Sequence, residues 1–211
     1  MKKIVLIIGL LVLTACSSIK FIDSWRNEDI TFFKPQKLLV VGMTDNLTAR
    51  KVFEEELKNA FSNRNIYAEE STIVFDKTFT KSKKSEEEID EMIQSIADEG
   101  FDAVIISAVK GVSEQRSYPS NYYSVGYRWP YFGHYYFRFQ DVYYNPGYYG
   151  SYKVYNVETS IYNLNEDNGK ALVWVGSLNL VNPQTISTTV KGYVTKIIKH
   201  LERENLIETR L

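Results

Sequence analysis

Between Leu38 and Ser107 the apolar residues change period again and again, and that alternation restricts the chain to a sheet with helices packed on it. Leu38-Leu39-Val40-Val41-Gly42 is an unbroken apolar run, the pattern of a strand covered on both faces. After Thr44-Asp45-Asn46, any of which can cap, Phe53, Leu57, Ala60 and Phe61 recur at helical spacing. Ile66-Tyr67-Ala68 and Thr72-Ile73-Val74-Phe75 read as extended. Ser85-Glu86-Glu87-Glu88 has the form of a capping box, with Ser85 at N-cap and Glu88 at N3. The helix it opens carries Ile89, Met92, Ile93 and Ile96 on one face and should stop near Gly100, its C′ glycine. Asp102-Ala103-Val104-Ile105-Ile106-Ser107 is the next buried strand.

Residues 151 to 181 read as a hairpin, with Tyr155, Val157, Thr159 and Ile161 alternating with Asn156, Glu158 and Ser160. Asn165 to Gly169 supply the turn, and Ala171 to Leu180 return. Pro183 then starts a last helix striped by Ile186, Val190, Tyr193, Ile197 and Leu201. The expected fold is an α/β (α+β) sandwich: a mixed sheet of about five strands with three helices, in the order β-α-β-α-β, aromatic insert, β-β-α. Residues 37–211 form the single domain, and residues 16–36, including Trp25, read as a tether that joins it early.

This layout, with Gly169-Lys170-Ala171-Leu172-Val173-Trp174-Val175-Gly176, resembles an uncharacterised family of bacterial envelope lipoprotein domains whose hairpin strand ends in a similar Gly-Lys-x-x-x-Trp-x-Gly and whose earlier strand resembles Phe101-Asp102-Ala103-Val104. The resemblance implies an α/β domain of the anticodon-binding-like kind, similar to the amino-terminal part of TolB. It implies a binding module and brings no catalytic residues.

The stretch between the third strand and the hairpin, an insert at about residues 113–150, differs in composition from the rest. Residues 118–155 hold 13 of the 16 tyrosines, three of the five prolines and no leucine or isoleucine. Such a stretch lacks the aliphatic volume of an ordinary core, and its four charges in 38 residues suit a solvated linker poorly. Tyrosine combines an apolar face with a hydroxyl that tolerates water, so it gathers at interfaces. Three readings stand: a loop folded back over the sheet, a protein-partner surface, or a contact with headgroups or glycan. On the second and third, Tyr122, Tyr123, Trp129, Tyr131, Tyr135, Tyr136, Tyr148 and Tyr149 are the candidate interaction surface.

The chain opens with Lys2 and Lys3, and an apolar run from Ile4 to Leu13 then leads to Leu13-Thr14-Ala15-Cys16. The run spans only about 16 Å as a helix, roughly half of a 30 Å hydrocarbon layer, which fits a signal peptide over residues 1–15 rather than a membrane span. Leu-Thr-Ala-Cys resembles the lipobox read by lipoprotein signal peptidase, and that resemblance implies that Cys16 receives acyl chains which hold the protein to a membrane. Cys16 is the only cysteine, so no intramolecular disulfide can form. Ser17, where inner-membrane lipoproteins resemble one another in having Asp, points to the outer membrane; Ser17-Ser18-Ile19-Lys20 has no acidic cluster and points to its periplasmic face.

The net charge is −1, or −3 once Lys2 and Lys3 are removed, which gives no electrostatic case for a nucleic-acid partner. His134 and His200 are the only histidines; neither sits in a metal-ligand spacing, and no cofactor is expected. Gly42 to Asn46 lacks a phosphate-binding glycine pattern and reads as an ordinary βα loop, while Glu54-Glu55-Glu56 and Glu86-Glu87-Glu88 read as solvated helix starts. The expected function is a non-enzymatic binding or accessory module for another envelope component, a protein above all. The alternatives are an envelope hydrolase whose site is not legible in sequence and a self-associating structural lipoprotein.

Overall fold

The computed structural model describes residues 19–75, 82–114, 131–133, 136, 153–165, 171–183 and 185–210. The expected signal peptide and Cys16 lie outside the described residues. The elements are β1 (Ile19–Arg26), β2 (Leu38–Met43), α1 (Leu47–Ser62), β3 (Ala68–Glu70), α2 (Ser71–Val74), α3 (Glu86–Asp98), β4 (Ala103–Glu114), β5 (Lys153–Asn163), β6 (Leu172–Val181) and α4 (Ile186–Arg203). The strands form one mixed sheet in the order β1-β6-β5-β4-β2-β3. Pairs β2–β3 and β2–β4 are parallel, and the other three are antiparallel.

The α/β sandwich read from the sequence is the fold, with one strand and one short helix more than expected. The added strand is β1, formed inside the segment read as a tether and paired to β6 from Ile19↔Leu180 to Arg26↔Trp174. A register shift between Phe21 and Asp23 breaks its alternation, so Ile19 and Phe21 fall in step with Ser24 and Arg26 rather than with Asp23. The added helix, α2, replaces the extended stretch expected at Thr72–Phe75. Its β-branched residues favour a strand, but the Glu54 carboxylate accepts Thr72 N at 2.8 Å and holds that backbone in a turn.

The helix ends follow local chemistry. Asn46 Oδ1 accepts Ala49 N at 3.0 Å to cap α1, and the Ser85/Glu88 capping box opens α3. Gly100 follows α3 at φ +84°, a conformation that costs glycine little. α4 starts at Ile186 behind an N-cap at Thr185, later than the Pro183 start expected.

Each face of the sheet carries a core. On one, Leu38, Val40, Ile105, Ile161 and Leu178 meet Phe53, Leu57 and Phe61 of α1 and Tyr193, Val194, Ile197 and Leu201 of α4. On the other, Leu39, Val41, Val104, Ile106 and Leu172 meet Ile89 and Ile96 of α3 with Phe101, Phe132, Tyr136 and Tyr162. Trp25 packs on this second core, as its reading as a packing residue requires. Ile197 is fully buried and Lys199 is exposed. Ile197→Ala should therefore cost about 2 to 5 kcal/mol, with Lys199→Ala within about 0.5 kcal/mol of the parent, read as urea midpoints; coincident midpoints would mean that α4 packs through another face.

Candidate functional site

A strap from Asn27 to Lys37 links β1 to β2 and crosses the sheet where β4 begins and β5 ends. Asn27 N donates to Val173 O at 2.9 Å, and Phe33 N donates to Leu206 O at 2.8 Å, which fixes the strap at both ends of its arc. Asp102 closes it: its two carboxylate oxygens accept Gln36 N at 2.7 Å and Lys37 N at 3.0 Å. Between the strap and the sheet lies a groove of about 320 Å³. Its floor includes the buried Phe33, Ala103 and Val173, and its rim carries Asp29, Phe32, Lys34, Asn163 and Asn165. Phe32 is 44% exposed beside these polar groups.

The groove joins an apolar floor to a polar rim, and both oxygens of Asp102 accept backbone N–H groups. The groove was missed in the sequence because residues 17 to 36 lack a secondary-structure period, and a groove made by a strap leaves no periodic trace. Phe32-Phe33-Lys34-Pro35 was its local signal.

A second polar cluster lies at the carboxyl end of β2, and here the sequence reading is corrected. Glu54, expected on a solvated helix start, is 0% exposed, and Arg50 is 1% exposed. Glu54 Oε1 accepts Arg50 Nε at 3.0 Å, Gly42 N at 2.9 Å and Ser71 Oγ at 2.5 Å, while Arg50 Nη2 donates to Ser71 Oγ at 2.7 Å. The signal was spacing: Arg50, Glu54, Leu57 and Phe61 share one helical stripe, so 50 and 54 belong to the buried side with their neighbours. Glu55 is exposed, as expected, and so are Glu86, Glu87 and Glu88. This pair ties α1 to β2 and to α2, and its enclosure leaves it a structural role.

A third cluster is a chain of hydroxyls inside the first core. Ser107 Oγ and Thr159 Oγ1 lie 2.6 Å apart, and Thr159 Oγ1 and the Tyr193 hydroxyl are also 2.6 Å apart. Burial raises the Tyr193 phenol above its ordinary value, the hydrogen bond to Thr159 opposing it, so the hydroxyl stays protonated. Across the sheet Lys110 Nζ lies 3.0 and 2.9 Å from the two Glu158 oxygens. Near the far end of β1, Glu204 accepts Ser24 Oγ at 2.6 Å and Trp174 Nε1 at 2.9 Å, and Arg26 donates to the Glu204 carbonyl.

His200 stacks on Phe21 with ring centroids 3.2 Å apart and Arg203 Nη2 at 2.6 Å from its Nδ1. Burial and then the Arg203 charge lower its pKa from 6.5. A lowered folded-state pKa contributes stability above the unfolded value, and that contribution is lost as the pH falls through the folded one. His134 lies outside the described residues.

The candidate tyrosine surface divides. Tyr122, Tyr123, Trp129, Tyr135, Tyr148 and Tyr149 lie outside the described residues. Tyr131 is 41% exposed. Tyr136, expected on the exposed surface, is 1% exposed and sits edge-on to Phe132, centroids 6.1 Å apart; Phe132 in turn meets Tyr162 at 5.7 Å. An aromatic pair at i and i+4 completes the second core where aliphatic residues are wanting, so part of the insert is core.

No protein-family model matches the chain, and no curated protein does. Among solved structures, the PelC dodecamer from Paraburkholderia phytofirmans is similar over 89% of this chain and 96% of its own, at 11% identity and a TM-score of 0.42. A variant of it in another crystal form gives 12% identity and the same TM-score of 0.42. The lipoprotein GNA1162 from Neisseria meningitidis is similar over 80% of this chain and 99% of its own, at 14% identity and a TM-score of 0.40. All three scores fall below 0.5.

Two outcomes follow for stability. Glu54→Ala should cost about 3 to 5 kcal/mol because it removes the buried carboxylate that neutralises the Arg50 guanidinium and accepts Gly42 N and Thr72 N. The double change Arg50→Met with Glu54→Leu should recover only part of that, since Gly42 N and Thr72 N still lose their acceptor; full recovery in a double-mutant cycle would reduce the cluster to a simple ion pair. Tyr136→Ala should cost about 3 to 5 kcal/mol and Tyr131→Ala less than about 1 kcal/mol, both by urea denaturation. Equal costs would return Tyr136 to the surface.

Proposed function

We propose that this chain is an envelope lipoprotein, held to the outer membrane at its periplasmic face by acyl chains on Cys16, whose α/β domain is a non-enzymatic accessory module that binds another envelope component. The observation that carries the reading is Leu13-Thr14-Ala15-Cys16 standing three residues ahead of the first strand, a lipobox-like cysteine joined almost directly to a folded domain. Binding rather than catalysis is supported by how the polar groups are used. The Arg50–Glu54, Lys110–Glu158 and Ser107–Thr159–Tyr193 clusters spend their hydrogen bonds on one another inside the fold, and Asp102 spends its own on the strap. The groove beside Phe32 and Lys34 offers a protein partner an aromatic anchor with a polar rim.

Metabolic labelling with an alkyne fatty acid should mark the wild-type protein and leave Cys16→Ser unmarked and in the soluble fraction or unprocessed. Wild-type chain that takes up no label with Cys16 intact would sink the anchoring half. For the binding half, a photo-crosslinking residue at Phe32 should give a discrete adduct in intact envelopes and one at the exposed Glu87 should not; no adduct at Phe32, or the same adducts from both positions, would sink it.

A further inference from the structure

The anchoring reading has a geometric consequence in the register of the sheet. From Cys16 to Ile19 there are three Cα steps, which reach at most about 11 Å even when fully extended. Ile19 is therefore held within that distance of the acylated cysteine. Ile19 pairs with Leu180, Leu180 with Tyr155, and Tyr155 with Val112, so the start of β1 is level with the last residues of β4, the first of β5 and the last of β6. Asn182 N donates to Lys153 O at 2.8 Å and ties the last two together.

α4 belongs to the same end. A side-chain carbon built on Gly192 would lie 2.8 Å from Ile19 Cδ1, so the second turn of α4 stands beside the start of β1. The helix runs away from that end, so Ile186, six residues earlier, lies further toward it than Gly192.

We infer that the domain stands end-on on the bilayer, with the start of β1, the Glu114 and Lys153 ends of β4 and β5, the end of β6 and the first turn of α4 in the headgroup layer. This rests on acylation of Cys16 and names the surface that anchoring brings into contact with lipid. The chemistry of that end fits an anionic or zwitterionic membrane surface. Lys20 and Lys191 are exposed there, Lys153 is half-buried, and Ile186 is an exposed apolar residue in a first turn without acidic side chains. Asp45 on the loop after β2 and Glu86, Glu87 and Glu88 in the first turn of α3 are exposed acidic residues directed toward the same end. Lying on the β1 edge would instead press the exposed Asp23, Glu28 and Asp29 onto the headgroups, and the opposite end, a whole strand's length from Ile19, is beyond the reach of the tether.

The test uses the full acylated chain in vesicles of phosphatidylethanolamine and phosphatidylglycerol. Ser187→Cys and Lys191→Cys at one end, and Glu99→Cys and Glu208→Cys at the other, carry an environment-sensitive fluorophore, and lipids spin-labelled at the headgroup quench it. All four positions are exposed. Quenching should be severalfold stronger at 187 and 191 than at 99 and 208. Intact mass and flotation of the same samples separate the two ideas. Acylated, floating protein with equal quenching at both ends, or stronger quenching at 99 and 208, overturns the end-on arrangement and leaves the anchor standing; chain that carries no acyl mass and does not float overturns the anchor and this arrangement with it.

Discussion

Strand β4 is paired along both edges and covered on both faces over Ala103 to Ala108, and the arrangement of the other elements follows from that confinement. Its odd-numbered residues Ala103 and Ile105 feed the core under α1 and α4, and Val104, Ile106 and Ala108 feed the one under α3. A slip of one residue would exchange the two sets, so the register is fixed by both cores at once. The strand is also where the sheet changes character, parallel to β2 on one side and antiparallel to β5 on the other. Parallel neighbours need crossovers of one hand. Passing outward from β2 to β3 puts α1 on one face, and returning past β2 to β4 puts α3 on the other, which is why helices cover both sides.

Periodicity made this half of the molecule legible. The buried runs at Leu38 and Ala103, the capping box at Ser85 and the glycine at 100 are local signals whose local meaning survives in the fold. What escaped is of two kinds. β1 has too few apolar positions and a bulge that puts its alternation out of phase, so its strand character comes from the free edge of β6 rather than from its own residues. The groove is made by the strap that follows, held by backbone donors to Asp102, and a carboxylate used that way looks the same in sequence as one left in water.

Burial of charge escaped for another reason. Three consecutive glutamates invite a single reading, yet helical geometry sends Glu54 inward with Arg50 and Glu55 outward. The enclosed carboxylate then does what no apolar residue could: it gathers Gly42 N from β2 and Ser71 Oγ and Thr72 N from α2, and turns the chain after β3. Such a cluster adds little net stability over a well-packed apolar one and specifies direction instead. The tyrosines show the converse. A composition suited to surfaces still lends Phe132 and Tyr136 to a core, because a ring at i and another at i+4 fill the gap beside Tyr162.

The pairing of β1 with β6 also sets how the domain would bear tension. If the chain is held at Cys16 and pulled through its opposite end, the load enters at Ile19 and runs along β1, across the rungs that join it to β6. Antiparallel hydrogen bonds lie perpendicular to the strands, so force along β1 shears the rungs together instead of peeling them one after another. The bond from Ser24 to Glu204 and the stack of Phe21 on His200 add lateral fastenings to α4 along the same line. An edge strand that looks dispensable in a list of elements would then act as a mechanical clamp, yielding only when its whole length gives way.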